Sequence, residues 1–157
     1  MDTPVPDLTS VIPIEQMKGD CEEDTKLLQS MFTEATEYLE SLKWFPGADA
    51  WYFGYGVGGV LAVFLAHLKT PTKTGDTWVW VVVGDIPSAY LDVCCYTKKT
   101  SEALQAYCMV MEDWANAVKN NQDTSDKYPV GVAPTQEHAS MLRSRINFIR
   151  KNIINQV

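Results

Sequence analysis

Between Trp51 and Leu91 the chain carries two long apolar runs, the first of them opening on a cluster of glycines. The tract reads WYFGYGVGGVLAVFLAHLK, then a polar turn at Thr70–Asp76, then TWVWVVVGDIPSAYL. Within Thr77–Asp85, Trp78, Trp80 and Val82 alternate with Val79, Val81 and Val83, so a strand here turns an apolar set to each side. A strand that is apolar on both faces is covered on both and belongs in the middle of its sheet. Val60–Lys69 has no amphipathic split and reads as a strand as easily as a helix. Joined by the polar turn, the two runs make a buried β-hairpin the centre of the fold.

The flanks are simpler. Residues 1–19 are punctuated by Pro4, Pro6 and Pro13 and read as extended, with a short strand at Val11–Ile14. A first helix is expected from Asp20 to Leu42, its inner arc formed by Leu28, Met31, Phe32, Ala35, Leu39 and Leu42, and its outer face by Glu23, Glu34, Glu37 and Glu40. Pro46-Gly47 ends it. After the hairpin, Asp85–Ser88 breaks the chain and Ala89–Tyr96 offers another strand. A second helix capped by Thr100 or Ser101 carries the stripe Leu104, Tyr107, Cys108, Met111, Trp114, Ala115 and Val118. A third helix, capped by Thr135, buries Ala139, Leu142, Ile146, Ile149 and Ile153 and sets Met141 and Phe148 on its other side. The expected class is α+β: one domain, an antiparallel sheet of three to four strands against three helices, in the order α-β-β-β-α-α.

Composition narrows the functional classes. No run reaches the ~18 apolar residues of a membrane span, and the N-terminus lacks a basic region followed by an apolar core, so the expected compartment is the cytoplasm. Cys21, Cys94, Cys95 and Cys108 have neither CxxC nor zinc-finger spacing and read as reduced thiols, with no metal site. The formal charge of −7 is uneven: residues 1–50 hold eleven acids and three bases, and residues 51–157 nine acids and ten bases. An acidic chain repels phosphate backbones, which disfavours nucleic acid and favours a basic protein partner.

Gly54, Gly56 and Gly59 match G-x-G-x-x-G, and Asp85 ends a later strand, the place of a ribose-binding acid. A dinucleotide site needs a helix after those glycines, to hold the pyrophosphate at its N-terminus. Asp85 is also farther than the expected ~20 residues away. The glycines therefore read as structural, letting aromatic side chains pack over the strand, and no cofactor is expected. Ser88, Asp85 and His67 are triad residue types without a nucleophile elbow. His138 falls in the first turn of the third helix, and Glu112-Asp113 on the outer face of the second; no residue reads as catalytic. In Gly84–Leu91, Asp85 is either a turn device whose carboxylate satisfies nearby amides or a pocket acid with Tyr90 as its partner.

Gly58–Leu65, Gly84–Leu91 and Ala103–Trp114 together resemble a family of small uncharacterised bacterial proteins. That family carries a Gly-Asp-Leu/Ile-Pro-x-Ala-Tyr-Leu motif, and the likeness extends over residues 51–150. It implies a bacterial cytosolic protein of unknown activity and supplies no catalytic residues. Three functions stay open. The first is a non-enzymatic protein-interaction module, immunity- or inhibitor-like, using Glu34, Glu37, Glu40, Met141 and Phe148. The second is a small-molecule-binding domain or enzyme with a pocket near Trp51, Tyr55, Asp85 and Tyr90. The third is a structural homodimer.

Overall fold

The computed structural model describes residues 4–157. Its sheet has five antiparallel strands lying side by side in chain order: β1 (Ile12–Pro13), β2 (Ala48–Val57), β3 (Leu61–Leu68), β4 (Trp78–Gly84) and β5 (Ala89–Asp92). Helix α1 (Glu22–Glu40) falls between β1 and β2 in the chain, and α2 (Thr100–Lys119) and α3 (Gln136–Asn152) follow the sheet. The class is α+β as expected, but the sheet is larger than three to four strands. The added strand is β2, which runs through the glycine tract.

Alternation along β3 and β4 distributes the core. Leu61, Val63 and Leu65 join Trp80 and Val82 on the face packed by α2 and α3. Ala62, Phe64, Ala66 and Leu68 join Val79, Val81 and Val83 on the face packed by α1, through Leu28, Met31, Ala35 and Leu39. Both faces of the hairpin are covered, which is why neither run could afford a polar set. Trp80 is fully buried and its indole N–H donates to the Thr97 carbonyl at 2.7 Å, so its one polar group is satisfied in the core.

The glycines explain β2. A Cβ at Gly54 would stand 2.7 Å from the Thr100 side chain at the start of α2, and one at Gly56 would stand 2.6 Å from Leu28 of α1. Helices from both faces press on this strand, and only glycine leaves them room. The β2–β3 register slips between Phe53 and Tyr55, at Gly54. The turn that follows uses Gly59 at φ +77° and leads directly into β3. No helix N-terminus follows the glycine tract, so the geometry of a dinucleotide fingerprint is absent there.

Local capping sets the other boundaries. Helix α1 starts at Glu22 rather than Asp20, with the Cys21 sulfur accepting from the Asp24 amide at 3.4 Å. Strand β5 ends at Asp92 rather than Tyr96, because the Thr97 hydroxyl donates to the Asp92 carbonyl at 2.7 Å and closes a turn. The N-cap of α2 is Lys99, one residue earlier than expected, and Glu102 accepts the Lys98 and Lys99 amides at 3.1 and 3.0 Å. Thr100 instead turns inward and hydrogen-bonds Ser10. The N-terminal segment thus runs along β2 and the start of α2, with Val11 in the core.

Candidate functional site

The tract after β4 is anchored from three directions. Gly84 holds φ +145°, and a Cβ there would lie 2.2 Å from the Val60 carbonyl oxygen, so glycine is required for β4 to leave the sheet against β3. The Asp85 amide then donates to that same carbonyl at 2.9 Å. Tyr107, buried on α2, donates its hydroxyl to the Pro87 carbonyl at 2.7 Å. Burial pushes the Tyr107 phenol well above its ordinary value, which keeps it protonated as that donor. On the other flank Arg145 of α3 reaches back, donating Nε to the Asp85 carbonyl at 2.7 Å and Nη2 to its carboxylate at 3.1 Å.

This corrects both readings of Asp85. Its carboxylate caps no local amide and does not meet Tyr90; it clamps the turn to α3. The pair is half exposed, and such pairs contribute roughly 0–1 kcal/mol, so it fixes orientation more than stability.

Arg145 lies between Met141 and Phe148 on one side of α3, four and three residues away, so the three share a face. Met141 and Phe148 are 45% and 49% exposed, beside 43% for Leu27 on α1 and 66% for Met109 on α2, and differ from those in standing together on one helix face. Two grooves open beside the clamp. One, of about 280 Å³, is walled by Val60, Ile86, Phe148 and Ile149; the other, of about 300 Å³, by Ile86, Pro87, Val132 and Met141. The apolar N-terminal segment, with Val5, Leu8, Val11 and Ile12, does not cover Met141 and Phe148. It lies instead on β2 and α2, and its own Val5 and Leu8 are exposed. Among the described residues this side of α3 is left about half exposed at both side chains.

The remaining candidates scatter. Trp51 packs edge-on against Phe32 of α1, with ring centroids 5.2 Å apart, whereas Tyr55 packs on the α2–α3 side. Tyr90 sits on the α1 side, 4.8 Å from Trp44 between ring centroids. The four pocket candidates therefore do not meet in one cavity. Tyr90 lines a separate cleft of about 640 Å³ with Trp44, Lys43, Lys73, Asp76 and Asp92. Burial, and then the neighbouring charge of Asp76, raise the Asp92 carboxyl above its ordinary value, and Asp92 has no ion pair among the described residues. Glu34, Glu37 and Glu40 are exposed on α1, across the sheet from α3, and none is ion-paired among the described residues. The acidic and apolar partner candidates form two surfaces, not one.

The triad types also part. His67 pairs with Asp49 at 2.6 Å, at the opposite end of β3 from Asp85. His138 makes a local bond to the Ala133 carbonyl. Glu112 turns to α3 and pairs with Arg150 at 2.5 Å rather than facing outward, and Asp113 pairs with Lys127 at 3.3 Å. All four cysteines are free; burial raises the Cys108 thiol to about 11. No helix among the described residues is long and apolar enough to cross a membrane.

Sequence reading missed Arg145, because its partner lies 60 residues away. It also missed Tyr128, whose single hydroxyl accepts from the Tyr90 amide at 2.9 Å and donates to the Tyr90 carbonyl at 2.8 Å, sealing the outer edge of β5. No periodic signal marks either residue. No protein-family model, curated protein or solved structure matches this chain.

Proposed function

We propose that the protein is a non-enzymatic interaction module whose contact surface is the outer side of α3 around the Asp85–Arg145 clamp. The observation that carries this reading is the half-exposed pair Met141 and Phe148, beside two grooves whose walls mix apolar side chains with Asp85 and Arg145. Binding surfaces place aromatic, methionine and arginine side chains at their centres, and this surface has one of each. The acidic outer face of α1 supports the finer reading of an inhibitor-like protein, because unpaired glutamates accelerate encounter with a basic partner. The two faces act separately.

Affinity capture from the native host tests both. Phe148→Glu, shown by circular dichroism to be folded, is expected to lose captured protein that wild type retains. Glu34→Gln/Glu37→Gln/Glu40→Gln is expected to lose basic partners only, with the loss mimicked by salt. Capture identical in all three proteins overturns the reading.

A second reading rests on the Tyr90 cleft. An unpaired, partly desolvated Asp92 beside Trp44 and Tyr90 suits a small organic cation, held by charge and by the aromatic faces. Thermal-shift screening against primary amines, with Asp92→Asn as control, tests it. A shift that survives the substitution contradicts it.

A further inference from the structure

The outer face of α3 is patterned along its length as well as being apolar at its middle. Glu137, Met141, Ser144, Phe148 and Lys151 are all exposed and follow one another at intervals of four, three, four and three residues. That is the heptad spacing by which one helix lays a seam against another. The seam is also self-complementary when reversed. About Ser144, Glu137 and Lys151 exchange places, seven residues to either side, and Met141 and Phe148, three and four residues away, exchange to within one residue.

Resting on the interaction reading above, we infer that the occupant of this face is a second copy of the same chain, docked about a two-fold axis that crosses α3 on α3 antiparallel at Ser144. Each Met141 then meets the partner's Phe148 and each Glu137 the partner's Lys151, every contact being made twice. Serine at the crossing lets the helix axes approach closely, and the grooves on either side of Arg145 receive the partner's large side chains.

Charge favours this occupant over a strongly charged one. Glu137 and Lys151 have no ion-pair partner among the described residues, and at about 1.5 Å per residue they stand ~21 Å apart, too far to meet within one chain. Arg145 arrives at the seam already neutralised by Asp85, and Arg150 by Glu112. The acids that would make two copies of a −7 chain repel are concentrated in residues 1–50, and α1 lies across the sheet from α3. A dimer through α3 turns both acidic α1 faces outward, free for another partner.

Sedimentation velocity from about 1 to 100 μM tests the inference on the intact chain. Wild type is expected to dimerise in that range and Phe148→Glu to stay monomeric. Glu137→Lys alone and Lys151→Glu alone are each expected to weaken the dimer about tenfold, since each replaces two attractions by two repulsions. The double variant Glu137→Lys/Lys151→Glu is expected to restore it. These positions are exposed, so the monomer fold is the same in every variant, which circular dichroism checks. A wild type that stays monomeric, or a dimer indifferent to Phe148→Glu and to the charge exchange, overturns the inference. If the monomeric wild type still captures a different protein that Phe148→Glu loses, only the choice of partner has failed. If it captures none, the interaction reading fails with it.

Discussion

Removing one oxygen atom should loosen the free edge of the sheet. β5 is the last strand, so the backbone groups of Tyr90 that turn away from β4 have no strand to pair with, and the Tyr128 hydroxyl serves both of them. Tyr128→Phe keeps the ring, which packs 6.2 Å from that of Tyr90 between centroids, and deletes the two bonds to Tyr90 together with the hydroxyl's interaction with Tyr38. At a net 0.5–1.5 kcal/mol per bond the loss is about 1–3 kcal/mol. For a chain of this size 2 kcal/mol corresponds to a fall of about 4–8 °C in Tm. Urea unfolding should show the lower midpoint with an unchanged slope, since the same surface is exposed on unfolding. Hydrogen exchange at the Tyr90 amide should accelerate about tenfold or more, while β3 and β4 amides follow only the global change. An unchanged midpoint together with unchanged protection of Tyr90 would refute the edge-sealing argument.

Three further outcomes follow from the same structure. Gly84→Ala should destabilise by about 2–5 kcal/mol, combining a strained φ with overlap on the Val60 carbonyl; a midpoint within error of wild type contradicts this. Trp80→Ala should cost about 3–5 kcal/mol, because it empties a fully buried site and strips the Thr97 carbonyl of its donor; a midpoint equal to wild type removes Trp80 from the core. Stability should fall in alkali: the Cys108 thiol is raised from 9.0 to about 11 and the Tyr107 phenol above 10.0, so the unfolded chain releases those protons first. Stability is therefore whole below pH 9 and falls above it, at about 1.4 kcal/mol per pH unit from Cys108 up to about pH 11 and as much again from Tyr107 above pH 10; a flat profile from pH 9 to 11 contradicts it.

What the sequence declares is what repeats. β4 alternates without a polar residue and β3 with only His67 near its end, and the core stripes of α2 and α3 recur at helical spacing, so these elements and the covering of both hairpin faces are legible from one chain. β2 is not, because glycine is a poor strand former. The reason for its glycines lies in Thr100 and Leu28, which reach it from other elements. The site divides in the same way. Met141 and Phe148 stand out as apolar residues on the wrong side of a helix, and Asp85 as an acid after a buried strand. That Asp85 belongs with them, through Arg145, is a long-range fact that no local spacing encodes. Trp51, Tyr55 and Tyr90 do not share a pocket with Asp85, because Trp51 and Tyr90 lie on the α1 side of the sheet and the register slip at Gly54 turns Tyr55 to the other.

The most direct test of the α3 surface is photo-cross-linking in the native host, with Phe148→benzoylphenylalanine as the probe and Gln29→benzoylphenylalanine, exposed on α1, as the control. An intermolecular contact through α3 predicts a discrete cross-linked species from position 148, at twice the chain mass if the partner is a second copy, and none of that species from position 29. Irradiation that leaves the 148 probe as monomer alone, in a protein shown to be folded, contradicts the account.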